Sequence, residues 1–205
     1  MVMKESEEKL RRGEPVPDFE LKGTDGETHS LADFADYDAV LLVFTCNHCP
    51  YAQAKFDLLN DVAAEYDDAA VVGVNPNDEA EYPDDSYEKM VEYVEDGAVR
   101  YDAYLRDDTQ EVAEAYGAAC TPDPFLLRNG EAQRASNASG ERREQTAESR
   151  DHEFTLAYHG RLDDALNPDD EPTEIYVRDA IDAVLAGEDV DLEFMPSRGC
   201  SIKWK

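Results

Sequence analysis

The chain has 205 residues, 49 acidic against 19 basic, for a formal net charge of −30. That length holds one domain with a real core. A surface this acidic repels nucleic acid and anionic membrane, so neither is an expected partner, and no stretch approaches the roughly 20 apolar residues of a membrane helix.

Residues 1–14 are highly charged, have no apolar core and so are no signal peptide; they read as a mobile lead-in. Residues 15–21, with prolines confined to the start, read as an edge strand. The turn Thr24-Asp25-Gly26-Glu27 returns the chain through residues 28–31 as a hairpin, and residues 31–34 form a short helical turn. Residues 39–45 are apolar on both faces, as a central strand covered by helices must be. Ala52, Phe56, Leu59, Ala63 and Tyr66 then recur at helical spacing behind Pro50, predicting one helix. A second buried strand covers residues 69–74 and ends in the loop Asn75-Pro76-Asn77-Asp78.

A polar loop leads to a helix with Tyr87, Met90, Val91 and Val94 on one face and Gly97 as its stop. The string Asp108-Thr109-Gln110-Glu111 fits a capping box, with Val112, Ala115 and Tyr116 on the buried face and Gly117 as the stop. Thr121-Pro122-Asp123-Pro124 precedes a strand at 125–127. Residues 129–153 hold no apolar side chain larger than alanine and read as a flexible insertion; the sequon Asn137-Ala138-Ser139 within it would go unused in a cytoplasmic chain. Residues 154–158 alternate as a strand, Pro172 opens the last helix, and Gly187 stops it. In the tail, 188–205, the period-two pattern of Val190, Leu192 and Phe194 reads as an edge strand. His29, His152 and His159 sit in no pattern and read as surface residues. Strands alternating with helices make the fold class α/β with a central mixed sheet flanked by helices: residues 15–205 as one domain.

The chemistry gathers at Cys46-Asn47-His48-Cys49-Pro50, between the first central strand and the helix after it. Two thiols two residues apart at such a junction can close and reopen a disulfide. No second Cys-x-x-Cys or His-x-x-x-His follows, so the count for tetrahedral zinc fails, and no cofactor is expected. Cys46 is expected as the exposed attacking thiol, favoured as thiolate by the helix N-terminus. Cys49 is expected as the resolving thiol, and His48 as a group that tunes the thiolate. Cys120 and Cys200 are candidate auxiliary thiols: Cys120 lies close to Pro122 in sequence, and Cys200 lies in the tail.

These residues resemble the peroxiredoxin-like (AhpC/TSA) branch of the thioredoxin superfamily. The opening Pro17-Asp18-Phe19-Glu20-Leu21 with Asp25-Gly26 and Leu31 looks like a peroxiredoxin start. Phe44-Thr45-Cys46-Asn47-His48-Cys49-Pro50-Tyr51 is similar to a subgroup carrying a thioredoxin-type Cys-x-x-Cys. Asn75-Pro76-Asn77-Asp78 with Tyr82-Pro83, Cys120-Thr121-Pro122 and the ending Gly199-Cys200-Ser201-Ile202-Lys203-Trp204 fit the same subgroup. The resemblance implies a thioredoxin-like fold with a peroxiredoxin-type N-terminal hairpin. It implies that Pro122 is a cis-proline facing the dithiol, orienting a substrate strand on the backbone edge it exposes. It also matches Cys49 to the peroxidatic cysteine. The sequence departs from the pattern where peroxiredoxins carry proline and threonine before that cysteine, since Leu42 and Cys46 stand there. Val40 stands where thioredoxins bury an aspartate.

The leading expectation is a thiol–disulfide oxidoreductase cycling a Cys46–Cys49 dithiol, with protein or small-molecule disulfides as substrates and a thiol reductant as electron donor. One alternative is a thiol peroxidase acting on peroxides, with Cys49 oxidised and Cys46 resolving it. Another is a Cu(I) binder using Cys46, Cys49 and His48. The charge pattern resembles that of proteins from salt-accumulating halophiles, and a cytoplasmic, high-salt setting is expected.

Overall fold

The computed structural model describes residues 2–130 and 154–205. Its centre is β4 (Ala39–Phe44), preceded by β1 (Met3–Glu5), β2 (Leu21–Gly23) and β3 (Thr28–His29). Every residue of β4 is buried because the strand is covered on both sides. Side chains alternate along a strand. Val40, Leu42 and Phe44 accordingly pack with Phe19, Leu31 and Tyr116, while Ala39, Leu41 and Val43 pack with Leu59, Val62, Val177 and Ile181.

Among the described residues seven strands form the main sheet. Parallel to β4 lies β5 (Ala69–Asn75), and parallel to β5 lies β6 (Ala103–Arg106). On its other side β4 pairs antiparallel with β8 (Asp123–Asn129), and β8 with β9 (Phe154–His159). The β2–β3 hairpin closes the far edge by pairing with β6. A three-stranded antiparallel sheet sets β10 (Arg198–Ser201) between β1 and β7 (Cys120–Thr121). The helices α1 (Pro50–Gln53), α2 (Phe56–Glu65), α3 (Tyr87–Glu95), α4 (Glu111–Tyr116) and α5 (Tyr176–Leu185) complete the α/β mixed-sheet architecture. Among the described residues no helix is long and apolar enough to cross a membrane.

Several sequence expectations are corrected. The lead-in at 1–14 contains β1, which pairs antiparallel with β10 at one edge of the smaller sheet. Residues 15–21 are not a strand; Pro15 makes a single bridge to Thr155, and the strand starts at Leu21. The helix after Pro50 is broken at Ala54–Lys55, where the Lys55 side chain reaches across to Asp163 at 2.7 Å. The cap of α4 comes from Asp107 rather than Asp108: its carboxylate accepts the Ala113 N–H at 2.8 Å, and Gln110 enters the helix with φ +65°. The last helix begins at Tyr176, four residues beyond Pro172. Residues 190–194 form no strand, because the Arg12 guanidinium takes the Val190 and Leu192 carbonyls that a ladder would need. His159 is buried, stacked on Phe125 and paired with Asp123 at 2.9 Å; His29 pairs with Asp25 at 2.9 Å. Of the insertion at 129–153, Asn129 ends β8, whereas 131–153, with His152, lie outside the described residues.

Candidate redox site

The Thr45 N–H still bonds to the Val74 carbonyl at 2.8 Å, so β4 holds its course to the last residue before the motif. The chain then turns through Cys46–Cys49 and enters α1, with Cys49 as N-cap and Pro50 in the first turn. The Cys46 sulfur lies 3.2 Å from the Thr121 hydroxyl, and the Cys49 sulfur 3.4 Å from the Thr121 carbonyl. The next peptide, Thr121–Pro122, is cis. Cys46, Cys49 and Pro122 thus meet around one residue, Thr121, which the sequence reading did not assign to the site.

Cys49 is disulfide-bonded to Cys200, with 6.2 Å between their Cα atoms. In this redox state Cys200 is Cys49's partner and Cys46 is a reduced thiol, so the expected Cys46–Cys49 bond is not the one formed here. Alternation along β7 turns Cys120 away from the other sulfurs. Its own sulfur faces the Pro122 and Ser197 carbonyls at 3.6 and 3.8 Å.

Cys46 is also fully buried, against the expectation of an exposed thiolate. Loss of solvent pushes its pKa up to about 12, and the negative charge of Asp85 adds to that. The Thr121 hydroxyl, the Cys49 backbone N–H and Lys203 pull the other way without offsetting burial. The helix behind the motif is a single turn, too short to act as the expected strong dipole.

Asp85 organises the loop beneath the motif. Its carboxylate accepts the Asn47 N–H at 2.7 Å, the His48 N–H at 3.2 Å and the Asn77 amide at 2.7 Å, and pairs with His48 Nδ1. Burying a carboxylate is costly unless donors surround it, and four do. His48 is therefore fixed rather than free in solvent: one ring nitrogen is held by Asp85 and the ring stacks on Tyr82, centroids 5.2 Å apart. Asn47 is pinned from the other side by the Tyr104 hydroxyl at 2.8 Å and by its own amide, which donates to the Asp84 carbonyl at 3.0 Å. No local pattern in the sequence marks Asp85, one of many acids in a polar loop. The loop strings around Asn77 and Tyr82 were the nearest signal.

Among the described residues, Cys46, His48 and Asp85 place their ligand atoms within 4.8 Å of one another, close enough to share a metal ion. The set differs from the expected Cys46, Cys49 and His48, because Cys49 is committed to Cys200 and a hard carboxylate takes its place.

A mixed sheet flanked by helices, a dithiol after its central strand and a cis-proline beside that dithiol define a thioredoxin-like redox protein with a disulfide-forming cysteine pair. The chain belongs to the AhpC/TSA family, whose profile matches residues 12–137. An uncharacterized conserved protein from Geobacillus kaustophilus is 33% identical over 100% of this chain and 97% of its own, with a TM-score of 0.82. A hypothetical protein from Sinorhizobium meliloti 1021 is 34% identical over 98% of this chain and 99% of its own, with a TM-score of 0.81. The peroxidoxin BcpB from Mycobacterium tuberculosis shares the fold at 17% identity, over 87% of this chain and 96% of its own, with a TM-score of 0.53. No curated protein matches the chain.

Proposed function

We propose that this protein is a thiol–disulfide oxidoreductase in which Cys46 attacks and Cys49 resolves. The observation that carries the reading is the placement of both sulfurs on Thr121, beside cis-Pro122, with hydroxyl and carbonyl each serving one sulfur. In the forward step the Cys46 sulfur attacks a substrate disulfide R–S–S–R′, forming Cys46–S–S–R and releasing R′ as a thiol. Cys49 then attacks the Cys46 sulfur, closing Cys46–Cys49 and releasing R as the second thiol; an external thiol reductant restores the dithiol. Substrates are protein or small-molecule disulfides, and His48, held by Asp85, tunes the Cys46 thiolate. The setting we propose is a reducing, high-salt cytosol, on the strength of the net charge of −30.

Turnover of a disulfide substrate such as insulin by the reduced protein tests this, in concentrated KCl with a thiol donor. Loss of turnover in both Cys46→Ser and Cys49→Ser is expected. Full activity in Cys46→Ser would sink the assignment.

A second reading is a thiol peroxidase, favoured by one observation: Cys49, the match to the peroxidatic position, has a partner in Cys200 able to resolve a sulfenic acid. Peroxide consumption far faster than that of free cysteine, lost in Cys49→Ser and not in Cys46→Ser, would replace the first reading with this one.

A further inference from the structure

Strand β10 does to this protein what an extended substrate would do. It lies antiparallel on β7, with Cys200 opposite Thr121 and Ser201 opposite Cys120, so it occupies the backbone edge that runs into cis-Pro122. From that ladder its cysteine reaches the site and is joined to Cys49. A ladder plus a disulfide to a site cysteine is how a strand-like protein substrate would be held, the strap's bond going to Cys49 where a substrate's goes to Cys46. The fit is close: a Cβ at Gly199 would overlap the Thr121 carbonyl and come within 3.2 Å of the Pro122 nitrogen, so only glycine allows this approach. With β10 in place the three sulfurs are shut in, Cys46 and Cys49 at 0% exposure and Cys200 at 2%.

We propose that residues 198–201 are an internal substrate strand, an autoinhibitory strap that the Cys49–Cys200 disulfide clasps over the site and that must lift before an outside disulfide can enter. The inference rests on the oxidoreductase reading of Cys46 and Cys49. Cys46 is the built-in release. Its sulfur loses a proton and attacks the Cys49 sulfur; a Cys46–Cys49 bond forms as the Cys49–Cys200 bond breaks, and Cys200 leaves as a thiolate that takes up the proton. One disulfide is exchanged for another, so no oxidant or reductant is consumed. An external thiol releases the strap by reducing the same bond. The flanks stay tied when the clasp opens. Ser197 exchanges hydrogen bonds with Ser6 at 2.9 and 2.7 Å, the Ile202 N–H bonds to the Ala119 carbonyl at 3.2 Å, and the Lys203 N–H bonds to the Asn77 side chain at 2.9 Å. The strap therefore lifts between two anchors, parting from β1 as well as from β7.

The test is native-state hydrogen exchange and alkylation of the full-length protein, oxidised and after phosphine reduction, read peptide by peptide. On reduction, Cys46 alkylation should rise by about tenfold or more, as expected when a local opening replaces a closed state. Amides of 198–201 and 3–5 should lose protection while those of 39–44 and 69–75 keep it, and Cys120 should stay unreactive. Cys200→Ser under phosphine should behave like the reduced protein, and Gly199→Ala should lower the protection of 198–201 below that of the wild type once the clasp is reduced. Equal protection of 198–201 in both states, with Cys46 alkylation unchanged, would overturn the strap and make β10 a fixed strand. Should either variant lose core protection, the wild-type comparison still decides. An opening strap without disulfide turnover would sink the catalytic reading alone, and turnover over an unmoved strap would sink the strap alone.

Discussion

Burial disfavours the Cys46 thiolate most, and the buried Asp85 carboxylate beside it adds a negative charge that acts the same way. Asp85→Asn should therefore shift the Cys46 titration downward in the reduced protein, followed by thiolate absorbance against pH. Thr121→Val should shift it upward, because the hydroxyl that favours the thiolate is lost. Movement in the opposite sense in either variant would contradict this assignment of the charges. Asp85→Ala strands four donors, which should cost more than about 2 kcal/mol in a denaturant titration. The Cys46–Cys49 pair stood out in the sequence because a Cys-x-x-Cys is a local pattern, whereas the place of Pro122 came from the family resemblance. Asp85 and Thr121 were not legible, since each acts through contacts with residues far away in sequence. Burial misled as well: His159 reads as a surface residue until Asp123 and Phe125 close over it.

At the scale of elements, the apolar runs announced β4 and β5 correctly because only a strand covered on both faces is apolar throughout. Leu41→Ala, on the face packed by α2 and α5, should cost about 2–5 kcal/mol and leave the site pairing intact. The measurement is an unfolding titration alongside a disulfide map. Elements whose partners are distant in sequence were less legible. β1 has no hydrophobic pattern, and its three residues are all exposed, so pairing with β10 alone makes it a strand. The tail segment at 190–194 has the right period for a strand, yet Arg12 satisfies its carbonyls instead. Nothing in the sequence shows which competing hydrogen-bond donor will win.

For the whole molecule, self-repulsion at a net charge of −30 opposes compaction and is screened by salt. We expect the melting temperature to rise with KCl well beyond the range that ordinary proteins need; a flat response would argue against a high-salt setting. Residues 15–205 should melt in one transition, as expected of one domain. Acid should act in the same direction at low salt. Burial holds the Asp107 carboxyl above its ordinary value of 3.8, so the folded state takes up that proton before the unfolded chain does. Stability should then rise as pH falls from neutral through that raised value, the gain being complete below 3.8. Exposed carboxyls held low, such as Asp33, offset this only weakly. The disulfide spans 151 residues, and reducing it should cost about 2–5 kcal/mol.

The central claim, that Cys46 is the attacking sulfur, is tested most directly by trapping. Reduced Cys49→Ser protein is mixed with glutathione disulfide, quenched with acid and digested, and the mixed disulfide is mapped. The account predicts glutathione on Cys46, stable because the resolving thiol is gone. Glutathione on Cys200 with Cys46 untouched would contradict it.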